Sequence, residues 1–129
     1  LLQEGTDVTI VATGHLVWES LLAADELEKE GISCEIINIH TIKPLDEEII
    51  LKSVEKTGKI VSAEEHNYLG GLGESIAGML ARRRPTPQEF VAVHDTFGES
   101  GTPAELMKKY EIDADAVVKA VKKIIERTK

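Results

Sequence analysis

Reactive side chains and glycines are most concentrated between Ala63 and Ser75 (AEEHNYLGGLGES). The segment leads from a β-branched run into a helical stretch through Gly70, Gly71 and Gly73. Glycines at a helix start let backbone N–H groups approach another group closely, so an anion cradle is the first chemistry to weigh. Glu64 and Glu65 before the loop and Glu74 after it oppose that use, because they repel a phosphate unless a cation intervenes. The spacing also fails as a dinucleotide fingerprint, since Ile76 stands where a third glycine belongs. Close packing against another domain or subunit is therefore the preferred reading of these glycines, with ligand binding second. Glu65 and His66 are residue types able to exchange a proton as an acid/base pair.

The other loops offer less. Ala12-Thr13-Gly14-His15 lacks the three-glycine turn of a dinucleotide site, the lysine of a P-loop and the acidic cluster of a phospho-acceptor domain. In the connection from Asn38 to Asp46, His40 has no acidic residue next to it in sequence and reads as a structural or surface histidine. Around Ser100 the nucleophile-elbow pattern fails, because Thr102 occupies its final glycine position. The histidines have no zinc-type spacing, and a single cysteine, Cys34, excludes an intramolecular disulfide.

These loops are expected at the carboxyl ends of strands, where open parallel α/β sheets gather their ligands. Four runs read as strands, Asp7 to Thr13, Ser33 to Ile39, Lys59 to Ala63 and Glu89 to His94. Helical spacing fills the intervals: a helix from about Leu16 stopped by Gly31, then Asp46 to Lys56, Gly71 to Arg83, a short Pro103 to Tyr110, and Ala114 to Arg127. Thr102-Pro103-Ala104-Glu105 orders a capping hydroxyl, a first-turn proline and a glutamate, and Asp113 is expected to cap the last helix. Arg82-Arg83-Arg84 falls at a helix end, where cations complement the helix dipole. Strands alternating with helices imply β-α-β units, a parallel sheet and a three-layer α/β/α sandwich.

With 129 residues the chain is expected to be a single domain over residues 1–129. A net charge of -8 disfavours nucleic acid and anionic membranes as partners. No apolar run approaches the ~20 residues that span a bilayer, and one lone cysteine suits a reducing cytoplasm. A start at Leu1 rather than methionine is consistent with a piece of a longer protein.

Four blocks in order resemble the carboxy-terminal domain of the transketolase family: Glu4 to Gly14 (EGTDVTIVATG), Ile42 to Asp46 (IKPLD), Glu64 to Glu74 (EEHNYLGGLGE) and Phe97 to Pro103 (FGESGTP). Looser forms of the first and third occur in deoxyxylulose-phosphate synthases and 2-oxoacid dehydrogenase β subunits; the third with the fourth is most similar to short, prokaryotic-type transketolases. The resemblance implies a mixed five-stranded sheet of order 1-3-2-4-5, its first strand an antiparallel edge stub at residues 1–4. It implies a parent enzyme that moves a two-carbon ketol unit between sugar phosphates. Pyrimidine-binding and pyrophosphate-binding modules would hold thiamine diphosphate and a divalent metal, Mg or Ca, at a homodimer interface. It places no catalytic, cofactor or metal ligand on this chain, which alone is expected to be inactive. Glu65, His66, Asn67, Tyr68, Gly70, Gly71, Gly73 and Glu74 become candidates for a domain interface or the periphery of the parent's active site. The alternatives are a regulatory module that binds a ligand at the glycine loop, or the equivalent domain of one of the two looser relatives.

Overall fold

A computed structural model describes residues 1–40, 44–65, 71–93 and 102–129. Four strands, β1 (Val8–Ala12), β2 (Cys34–Asn38), β3 (Ile60–Glu65) and β4 (Gln88–Val93), alternate with α1 (Leu16–Glu28), α2 (Glu47–Thr57), α3 (Leu72–Arg83) and α4 (Pro103–Arg127). The sheet has order β2-β1-β3-β4 and every pairing is parallel. Its register runs from Val8 opposite Cys34 to Ala12 opposite Asn38, and from Thr9 opposite Ile60 to Ala12 opposite Ala63.

Pleating divides the core into two. Val8, Ile10 and Ala12 of β1 point with Ile36, Val61, Val91 and Val93 into a cluster closed by α1 and α4. Val11, Ile37 and Ile60 face the other way, against Ile50 and Val54 of α2 and Leu72, Ile76, Met79 and Leu80 of α3. Each fully buried Val, Leu or Ile among them contributes about 1.5–3 kcal/mol relative to exposure. Thr9, the polar residue of buried β1, is satisfied by the hydroxyls of Ser53 at 2.6 Å and Thr57 at 2.7 Å. Gly31 (φ +82°) and Gly58 (φ +77°) lie just beyond α1 and α2 in the left-handed conformation that ends helices.

Two expectations are corrected. The sheet is parallel and four-stranded rather than mixed and five-stranded: residues 1–4 contribute only an isolated antiparallel bridge between Gln3 and Ile36. Immediately afterwards Gly5 is pressed onto the backbone of Cys34, where a Cβ would lie 2.2 Å from the carbonyl carbon. The second correction joins the two carboxy-terminal helices into one. Asp113 is not a cap but lies inside α4, buried, with Lys109 donating to it across one turn at 2.7 Å. Lys109, Asp113, Val117, Val121 and Ile124 form one uninterrupted buried stripe, so packing carries the helix through the acidic residue. At its start the Thr102 hydroxyl does cap, accepting from the Glu105 amide at 3.1 Å.

Candidate functional site

From β1 the chain departs toward β2, and from β3 it departs toward β4, so the strand order reverses between β1 and β3. The crevice beyond their carboxyl ends is the topological switch point, the usual ligand position in such sheets. His15, at the N-cap position of α1, and Glu65, the last residue of β3, meet across it with Nε2 and Oε1 3.9 Å apart. That distance is too long for a hydrogen bond. Glu65 is buried while the His15 side chain is 69% exposed, so the imidazole forms the open wall.

Behind His15, one turn into α1, Glu19 is wholly buried. Neither of its carboxylate oxygens has a hydrogen-bond partner among the described residues. Burial pushes this carboxyl up to about 7. Its own backbone amide, Lys109 and His15 pull it down, and Asp113 pushes it further up. The Lys109–Asp113 ion pair lies in the same electrostatic environment, on α4, which packs against α1. An imidazole, two carboxylates and a buried ion pair thus converge near one end of the sheet, an arrangement able to hold or exchange a proton.

The second place to examine is the start of α3. Gly71 occupies its N-cap position and Glu74, in the first turn, is exposed. The Gly73 amide donates to Glu64 Oε2 at 2.5 Å, so this chain's own carboxylate fills part of the place an anion would take. Gly73 is required by close approach, because a Cβ would meet the Phe90 ring at 2.6 Å and Glu64 Oε2 at 3.0 Å. Gln88 bonds the Gly73 carbonyl at 3.0 Å. This glycine therefore packs against β4 of its own domain. His66, Asn67, Tyr68 and Gly70 lie outside the described residues, as does Ser100.

Among the described residues singled out in the sequence, Glu65 reaches the crevice, where His15 lies beside it. His15 and Glu19 had not been singled out as candidates. A signal for Glu19 existed, since it falls on the stripe of Leu16, Ser20, Ala23, Ala24 and Leu27 that α1 buries. His40, exposed, pairs with Asn38 at 3.3 Å. Burial raises the Cys34 thiol to about 12, with Asp7 adding to the shift, so it is no nucleophile at neutral pH. No three His, Cys, Asp or Glu side chains among the described residues are grouped to hold a metal ion. No described helix is long and apolar enough to cross a membrane.

The family profile described as "Transketolase, C-terminal domain" matches residues 1–117. A 6-deoxy-6-sulfo-D-fructose transketolase subunit from Clostridium sp. is 47% identical over 127 residues, covering 98% of this chain and 39% of the relative. Mouse transketolase (Mus musculus) is 38% identical over 128 residues, covering 98% of this chain and 20% of that protein. Among solved structures, a split-gene transketolase in an inactive β4 tetramer superposes with a TM-score of 0.83 at 44% identity. That superposition covers 98% of this chain and 41% of the other. The chain thus spans about two-fifths or less of these relatives. The profile match over nearly the whole sequence, the shared fold and these identities together place the chain in the transketolase C-terminal domain family.

Proposed function

We propose that residues 1–129 form one structural, dimer-supporting domain of a thiamine-diphosphate-dependent transketolase, and that this domain is inactive alone. The observation that carries the proposal is the profile match over residues 1–117, joined to the 0.83 superposition on a split-gene transketolase. In this reading the parent enzyme transfers a two-carbon ketol unit between sugar phosphates of the pentose phosphate pathway, in the cytoplasm. Its pyrimidine-binding and pyrophosphate-binding modules hold thiamine diphosphate and a Mg or Ca ion across a homodimer. Glu65, His66, Asn67, Tyr68, Gly70, Gly71 and Glu74 form the rim presented to those modules, and Gly73 braces that rim from inside.

The described residues do not fit thiamine diphosphate. A pyrophosphate needs free N–H donors and cations, whereas the Gly73 amide at the α3 start is bonded to Glu64 and the crevice holds the Glu65 carboxylate beside His15. The same bond weakens the reading of the glycine loop as a regulatory anion site. Titration calorimetry of the isolated chain with thiamine diphosphate and Mg ion is expected to give no heat of binding, and a ketol-transfer assay no turnover. Saturable cofactor binding or turnover by this chain alone would overturn the proposal.

A further inference from the structure

Glu19 lies one turn into α1 with no exposed surface, and neither carboxylate oxygen has a hydrogen-bond partner among the described residues. Its neighbour Trp18 is 57% exposed, so the carboxyl belongs to the covered face of the helix. α4 packs on that face, and its buried Lys109 and Asp113 act on Glu19 through space. His15 acts on it from the same helix, with Glu65 of β3 beyond the imidazole. β1 carries no titratable side chain, and Cys34 and Glu35 lie at the amino end of β2. A carboxyl so placed is tolerated as the neutral acid, whereas an ionised one needs a cation or donors to replace its lost water. The buried ammonium of Lys109 is already bonded to Asp113 at 2.7 Å.

The cover is unequal along α4. Residues 114–124 bury Ala114, Val117, Val118, Val121 and Ile124, whereas among residues 103–112 Lys109 alone is buried. Met107 and Ile112 of that first half are 65% and 57% exposed. Little apolar burial therefore holds the first turns of the helix down. Between the halves the sequence carries a helix-start signal at Asp113, so the backbone there is able to form a helix end with Asp113 as its cap. The weakly held half thus ends at the acidic residue whose ion pair adjoins Glu19.

We infer that the first half of α4, residues 103–112, is a proton-gated arm: it closes on α1 while Glu19 is protonated, and loss of that proton opens it about Asp113. Ionisation places a second buried carboxylate in the environment of the Lys109–Asp113 pair, and lifting the arm returns all three groups to water together. The closed form holds the Glu19 proton more tightly than water does, with a value of about 7 against the ordinary 4.5. The stabilisation of the closed arm is therefore fully present below pH 4.5, is lost progressively as pH rises to 7, and changes little beyond.

Amide hydrogen exchange of the full chain, followed residue by residue by NMR from pH 5 to pH 8, tests the gate. Corrected for intrinsic exchange, the protection of Lys108 to Ile112 should fall about tenfold per pH unit up to pH 7 and level off above it. Its dependence on low urea should be weaker than that of Val117 to Ile124, the mark of an opening smaller than global unfolding. Glu19→Gln should abolish the pH dependence, and His15→Asn should preserve it. Protection independent of pH in the unsubstituted chain overturns the gate even if the Glu19 carboxyl resonance titrates, because the charge is then accommodated with the arm closed. Equal protection and equal urea dependence in both halves overturn the arm, since the helix then opens only with the whole domain. A dependence that survives Glu19→Gln but not His15→Asn assigns the proton to the imidazole and overturns the role of Glu19.

Discussion

Near the amino ends of the strands, Glu35 of β2 and Glu89 of β4 are hydrogen-bonded to cations; behind the carboxyl ends, Glu19 of α1 has no hydrogen-bond partner among the described residues. Burial alone would raise the Glu35 carboxyl, but hydrogen bonds from Lys56, Ser53 and the Gly5 amide outweigh it and hold the group below the usual range. At Glu89 burial is likewise outweighed, by Arg127, whose Nε lies 2.6 Å from Oε2, and by Lys123. Glu19 loses its hydration and gains no described hydrogen-bond partner, so its shift has the opposite sign. One end of the domain completes its own electrostatics, and the other retains a charge problem beside exposed Trp18.

The largest expected effect comes from removing the buried cation near the carboxyl end. Lys109→Ala strips the buried Asp113 of its ion-pair partner, and should cost about 3–5 kcal/mol in urea unfolding. Lys109→Met combined with Asp113→Leu should recover most of that loss, because both charges then leave the interior together. A double variant no more stable than Lys109→Ala would mean that the pair is not an isolated electrostatic unit, and the contrast between the ends would break.

Next is the pH dependence of Glu19. Its folded value of about 7 exceeds the ordinary 4.5, so the native state binds a proton more readily than the unfolded chain. The group's contribution to stability is fully present below pH 4.5 and is lost as pH rises to 7. The difference amounts to about 3 kcal/mol. Glu19→Gln should remove this slope, matching the unsubstituted chain near pH 4.5 and exceeding its stability at pH 8; parallel stability curves would refute the assignment. The smallest effect belongs to the self-satisfied end. Arg127→Ala should cost about 1 kcal/mol, since the guanidinium is partly solvated. Because the Glu89 carboxyl is held low, the contribution of its ion pair should fade as pH falls below 4.5. A loss as large as that of Lys109→Ala would erase the distinction between the two ends.

Much of the α/β alternation was legible in the sequence because pleat and helix periodicities are local signals. The Thr102 cap was legible for the same reason, since its partner is only three residues away. Asp113 misled because acidic residues before an apolar stripe so often cap helices, and only the placement of Lys109 one turn earlier shows how its charge is held. The edge strand at residues 1–4 was misjudged because hydrogen bonding along an edge depends on how closely Gly5 approaches Cys34, a contact between distant segments.

By itself the sequence determined the succession of elements, the family blocks and the glycines at the start of α3. The tertiary structure decided that Gly73 packs on Phe90 of its own domain, that Glu64 takes the anion position, and that Glu65 meets His15. The reason is the crossover: β1 and β3 become neighbours only after α1, β2 and α2 have been laid down between them, and no local pattern records which side chains that return brings together.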